Sequence, residues 1–61
     1  MTILEYSKLI LLKVSFNETL FEKELLKAKN LITSNEVIEF RIWCVTEFGA
    51  RYHDIIEKII T

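Results

Sequence analysis

Hydrophobic and polar positions alternate along this chain with the period of an α-helix. Large apolar side chains recur three and four residues apart, which places them on one side of a helix and charged residues on the other. This pattern predicts four helices, at about residues 3–14, 16–32, 35–48 and 51–60.

Three potential capping boxes mark the beginnings of helices. In a capping box a hydroxyl accepts from the amide three residues later, and a glutamate at that position reaches back to the cap amide. The pairs with this spacing are Thr2 with Glu5, Ser15 with Glu18, and Thr33 with Glu36. Gly49, the only glycine, follows the third apolar stripe, so we expect it to end that helix with a positive φ.

These elements predict a single all-α domain over residues 1–61, folded as a compact three- to four-helix bundle. The predicted connections are short, which favours antiparallel or steeply crossed neighbours. The residues expected at the centre of the core are Phe21, Leu25, Phe40, Cys44, Phe48, Ile55 and Ile59.

Composition supports a globular helical fold and raises the question of self-association. Apolar residues form 51% of the chain and charged residues 28%, which is too apolar for a disordered protein. The chain has no proline and one glycine, whereas the tight turns of a small β-rich fold use both. A domain of this size buries only about 60% of the surface of its unfolded chain, so a second copy or another partner would add stability that the core alone lacks.

The N-terminal segment is apolar but does not have the features of a targeting signal. It lacks an early basic region and a small-residue cleavage site, and it carries Glu5. The longest uninterrupted apolar runs have four residues, as at 9–12, whereas a membrane span needs about 20. Because the chain also has a single cysteine, we expect a cytoplasmic protein with no membrane partner.

Several apolar residues lie on the wrong side of their predicted helices. Leu9 and Leu12 fall opposite the core stripe of the first helix, so either neighbours cover that helix on two sides or these leucines form a second apolar face. Trp43 is a large aromatic residue on an acidic side of the third helix. Either the N-terminal or the last helix covers its indole, or the indole is exposed and serves as an anchor for a basic or amphipathic partner helix. The candidate partner-binding residues are therefore Leu9, Leu12, Trp43, Glu36, Glu39 and Glu47.

Arg41 and Glu24 interrupt the apolar stripes of the third and second predicted helices. Burying an unpaired charge costs several kcal/mol, which is comparable to the total free energy of unfolding of a small domain. Either each side chain reaches solvent from the edge of its stripe, or the two form an ion pair that fixes the register of the helices.

Residue types suited to catalysis or cofactor binding are scarce. Cys44 lies on the apolar side of its helix, where an unreactive core thiol is the usual outcome, and His53 is the only histidine. One cysteine and one histidine do not make a metal cluster, and one glycine does not make a phosphate-binding loop. We therefore expect no enzymatic activity, no cofactor and no metal.

Two classes of function fit this sequence. The first is a small interaction module that binds another protein or forms a weak homodimer through the misplaced apolar residues. The second is a helix-turn-helix DNA-binding protein, because the break at Thr33 and Ser34 has a suitable length. Glu36 and Glu39 would face phosphates in that second class, and a net charge of −1 gives little attraction for DNA, so no nucleic-acid partner is expected.

Overall fold

The computed structural model describes residues 1–60, and within them the chain forms three α-helices and no strand. The helices are α1 (Ile3–Val14), α2 (Glu18–Leu31) and α3 (Ser34–Ile59). α1 packs beside α2, and α2 packs against α3. The predicted all-α fold is confirmed. None of the helices in the described range combines the length and apolar content that a bilayer crossing requires.

The first and third predicted helix starts are confirmed, and local hydrogen bonds fix them. The Thr2 hydroxyl accepts from the Glu5 amide at 3.1 Å, and the Glu5 carboxylate accepts from the Thr2 amide at 3.3 Å. At α3 the Glu36 carboxylate accepts from both the amide and the hydroxyl of Thr33, each at 3.2 Å. These contacts satisfy polar groups that a helix N-terminus otherwise leaves to water.

The predicted capping box at Ser15 and Glu18 is wrong, and the second helix begins at residue 18 rather than 16. Ser15 keeps a helical backbone, with φ −64° and ψ −14°, and its hydroxyl donates to the Leu12 carbonyl at 3.1 Å. Asn17 is the N-cap instead, and its side-chain oxygen accepts from the Leu20 amide at 3.0 Å. Asparagine caps at least as well as serine, so the residue adjacent to α2 takes this position.

The predicted helix end at Gly49 is also wrong. α3 continues through this residue, and no residue in 1–60 has a positive φ. The predicted helices 35–48 and 51–60 therefore form one element, which is interrupted at Tyr52, where φ is −123° and ψ is 25°. The ring of Tyr52 stacks on Phe21 at 4.3 Å, and its hydroxyl donates to the Ser15 carbonyl at 2.6 Å. These two contacts hold the bend at Tyr52, since the chain has no proline that would break the helix there.

The bend at Tyr52 reverses the direction of α3. A straight helix of 26 residues would be about 39 Å long, whereas the longest dimension of the molecule is 25 Å. Arg41 and Glu57 are 16 residues apart yet form an ion pair. The hypothesis that Arg41 pairs with Glu24 is therefore wrong. The Glu24 carboxylate instead lies 3.4 Å from the ammonium group of Lys27 on the same helix.

The core lies where the three helices meet and is rich in aromatic rings. Phe21 contacts Phe48 edge-to-face at 5.0 Å and stacks on Tyr52. Six of the seven predicted core residues are buried, whereas Ile55 is only half-buried. The bend at Tyr52 rotates the last turns, so that Ile56 is fully buried in place of Ile55.

Gly49→Ala should stabilise the protein by about 0.5–1 kcal/mol, because glycine inside a helix costs roughly that much relative to alanine. The added Cβ would lie 3.3 Å from Val45 Cγ1. Val45 is half-buried, so its side chain has room for the small shift required. Urea unfolding would measure the change, with Ala50→Gly as the reverse control. A loss of stability in Gly49→Ala would mean that Val45 does not move.

Phe48→Ala should lower the free energy of unfolding by about 3–5 kcal/mol, a large share of the total stability of a small domain. The Phe48 side chain is 8% exposed and lies between the rings of Phe21 and Trp43. Phe16→Ala is the matched control, because Phe16 is 70% exposed, and its loss should be within about 0.5 kcal/mol. Equal thermal stability of the two variants would contradict this assignment of the core.

Candidate functional site

The structure brings Leu9, Leu12 and Trp43 to one shallow groove between α1 and α3. The groove has a volume of about 310 Å³, and we call it the Trp43 groove; its walls are formed by Met1, Glu5, Lys8, Leu9, Leu12 and Trp43. Leu9 is 44% exposed and Leu12 is 48% exposed. Large apolar side chains from two distant parts of the chain therefore share one accessible surface.

Helical spacing explains how α1 supplies most of this groove. Glu5, Lys8, Leu9 and Leu12 follow one another at i, i+3, i+4 and i+7, so they form one stripe along α1. Leu4, Ser7 and Leu11 are buried on the other side of the same helix, against the core. α1 thus has two apolar stripes, and only one of them is covered by the rest of the chain.

Trp43 is the residue through which α3 enters the groove. Its ring lies edge-to-face with Phe48 at 5.5 Å and stacks near Phe40 at 6.2 Å, so one side of the indole rests on the core. The Lys8 ammonium lies over the ring, 5.6 Å from its centroid, in cation–π geometry. The N-terminal helix therefore covers part of the indole, and the remaining part faces the groove.

The acidic residues expected beside Trp43 do not line the groove. The carboxylate of Glu36 accepts hydrogen bonds from Thr33 at the start of α3. Glu39 and Glu47 are exposed elsewhere on α3. The charged residues that line the groove are Glu5 and Lys8, which carry opposite charges.

A second groove lies between α2 and the end of α3 and has a more basic lining. Its volume is about 520 Å³, and its lining includes Lys23, Lys29 and Lys58 around the exposed side chain of Leu26. Lys58 lies 3.3 Å from the Glu22 carboxylate, so part of this positive charge is neutralised.

Two apolar residues on the solvent side of α3 are not among the candidate residues predicted from the sequence. Ile38 is 70% exposed and Ile42 is 60% exposed. The spacing of the sequence could have indicated their exposure. Ile38 precedes the buried Phe40 by two positions, and Ile42 precedes the buried Cys44 by two positions. Two positions correspond to about 200° around a helix. Ile38 and Ile42 are therefore on the side of α3 that faces away from the core.

Cys44 is a fully buried core residue. Desolvation by burial raises the pKa of its thiol to about 12, although the nearby positive charge of Lys8 lowers it. His53 lies on the surface, 3.7 Å from Asp54 and 3.8 Å from Glu57. Within residues 1–60, no group of three or more histidine, cysteine, aspartate or glutamate side chains is arranged to hold a metal ion.

No protein-family model, curated protein or solved structure matches this chain. Among the described residues, the Trp43 groove is where a tryptophan, two exposed leucines and two opposite charges come together.

Cys44 should react with a thiol reagent at pH 8 about 1,000-fold more slowly in the folded protein than in the denatured chain, because its pKa rises from 9.0 to about 12 and lowers the thiolate fraction. The unfolded thiol also releases its proton above pH 9 while the folded thiol keeps it, so this group makes stability fall as the pH rises from 9 towards 12. A thiol reagent such as dithionitrobenzoate would measure the reaction rates of the folded protein and of the denatured chain. Equal rates would contradict the burial of Cys44.

Proposed function

We propose that this protein is a non-enzymatic interaction module that binds another protein, or a second copy of itself, through the Trp43 groove. The observation that carries the proposal is the convergence of Leu9 and Leu12 from α1 with Trp43 from α3 on one accessible apolar surface. Tryptophan contributes strongly to binding at protein interfaces when a partner excludes water from it.

The shape of the groove favours an amphipathic helix as the bound element. Leu9 and Leu12 are one turn apart along α1, so a partner helix can lay an apolar stripe beside them and against the indole. Glu5 and Lys8 lie in the same stripe and offer one charge of each sign to polar groups of the partner. The groove is small beside the roughly 800 Å² per partner of a standard interface. Binding through this groove alone is therefore weak and reversible.

The helix-turn-helix alternative has less support. A recognition helix needs cations near the phosphates, but the exposed residues in the first turns of α3 include Asn35, Ile38 and Glu39. Arg41, the only basic residue in the first half of α3, pairs with Glu57. Salt-sensitive retention of the protein on DNA would favour this alternative.

The cytoplasm remains the proposed compartment. The only thiol of the chain is the free, buried Cys44, and free thiols persist where the environment is reducing. Cell fractionation with an antibody to the protein would test this location.

The double variant Leu9→Lys, Leu12→Lys tests the groove, because both side chains are nearly half exposed and their replacement should leave the fold intact. The matched control is Leu26→Lys, whose leucine is 51% exposed on α2. Immobilised parent protein and control should retain the same partner from a lysate, and the double variant should lose it. Mass spectrometry would identify that partner, and Trp43, the only tryptophan, would report its titration by fluorescence.

Sedimentation equilibrium from about 10 µM to 1 mM covers the range of a weak homodimer and tests self-binding in the same variants. Circular dichroism would first establish that the double variant is folded. A parent protein that retains no partner and stays monomeric throughout would overturn the proposal. An unfolded double variant would show that these leucines belong to the core, which would overturn it as well.

A further inference from the structure

The solvent side of α3 is a second unpartnered apolar surface, separate from the Trp43 groove. Ile38 and Ile42 are the two most exposed large apolar side chains within the three helices. They lie one turn apart, facing away from the core residues Phe40 and Cys44. Scattered exposed leucines are common on small proteins, but two adjacent β-branched residues at this exposure form a continuous apolar ridge.

On this side of α3, the side chains become smaller from the N-terminal half of the helix to the C-terminal half. Thr46, Gly49 and Ala50 follow Ile42 at i+4, i+7 and i+8, so they continue its stripe. Among the described residues, Val45 alone has atoms within 4 Å of a Cβ added at Gly49, apart from the chain neighbours and the local backbone, and the nearest is 3.3 Å away. Gly49 is therefore a shallow notch with Val45 on one side. We call the surface formed by Ile38, Ile42, Thr46, Gly49 and Ala50 the α3 outer face.

We propose that the α3 outer face is a self-association surface on which two copies of this chain pack antiparallel about a two-fold axis. In this arrangement Ile38 of each copy lies against Gly49 of the other, and Ile42 lies against Thr46 of the other. A two-fold contact uses the same surface on both subunits, so that surface must be complementary to itself. The bulky first half and the small second half meet this condition only when the helices run in opposite directions.

Charge supports the same orientation. Glu39 is the charged residue beside this ridge, and in a parallel pair the two Glu39 side chains would lie side by side. In the antiparallel pair Glu39 lies opposite position 48 of the second copy, so the two carboxylates are about 14 Å apart along the axis. That separation exceeds the screening length of about 8 Å in physiological salt, so their repulsion is small. The Arg41 side chain is already neutralised by Glu57.

The area of the face indicates a weak dimer. The straight part of α3, residues 34–51, spans about 25 Å, and a helix is about 10 Å wide, so the contact covers on the order of 250 Å² per subunit. A stable complex of standard size buries about 800 Å² per partner. We therefore expect a reversible dimer with a Kd on the order of 0.1–1 mM. The face carries little charge with which to select a foreign partner, whereas its own shape suffices for a second copy.

Sedimentation equilibrium up to about 2 mM tests the proposal with two variants that act in different ways. Ile42→Glu places a charge in the centre of the contact, and Gly49→Leu fills the notch without adding charge. Ile42 is exposed and Gly49 is half-buried, with only Val45 close to its added side chain. The monomer should therefore remain folded in both variants, which circular dichroism would verify. Each variant should raise the Kd at least about tenfold, whereas the control Leu26→Glu on α2 should leave it within about twofold.

Crosslinking tests the orientation. Asn35→Cys and Ala50→Cys replace exposed residues near the two ends of the straight part of α3, and the buried Cys44, whose pKa is about 12, stays unreactive in both. When the two variants are mixed and oxidised, antiparallel packing gives mainly the mixed disulfide between residues 35 and 50. Parallel packing gives mainly the two symmetric disulfides, which would overturn the proposal.

The remaining outcomes also decide between the two surfaces. A parent protein that is monomeric at the highest concentration would overturn the α3 dimer without affecting partner binding in the Trp43 groove. Association that the Leu9→Lys, Leu12→Lys variant abolishes and Ile42→Glu does not would assign self-association to the groove and overturn this inference.

Discussion

The anchoring of Tyr52 is the contact on which the rest of this small fold depends. Its ring stacks on Phe21 of α2, and its hydroxyl donates to the Ser15 carbonyl at the end of α1, so one side chain joins all three helices. Because α3 bends there, its last turns return to the core and bury Ile56 and Ile59. A straight α3 would project beyond the other helices, and these isoleucines would be exposed.

The size of the chain explains why so much apolar surface remains outside. A bundle of three short helices has one central core, and each helix presents only one side to it. α1 and α3 each carry apolar residues on a second side, at Leu9 and Leu12 and at Ile38 and Ile42. These side chains contribute little to the folding of a single copy. They are therefore available to a partner, which is the physical basis of both proposed surfaces.

The two surfaces differ in the recognition they permit. The Trp43 groove combines an aromatic ring with Glu5 and Lys8, so a foreign helix can meet apolar, cationic and anionic groups in one place. The α3 outer face is nearly uncharged, and its complementarity is one of shape, between Ile38 and the notch at Gly49. Since α3 presents Trp43 and Ile42 in different directions, one copy can use both surfaces at once.

Local interactions set the features that can be predicted from the residues alone: the helical class, the helix starts after Thr2 and Thr33, and most of the core. Periodicity and capping act within a few residues, so they can be read without the fold. Contacts between distant parts of the chain make α3 pass through Gly49 and bend at Tyr52, and they pair Arg41 with Glu57. The bend is held by a hydrogen bond between residues 37 positions apart, and the meeting of Trp43 with α1 likewise joins distant parts of the chain. No local pattern encodes which distant side chain will lie opposite, because that follows from how the helices pack.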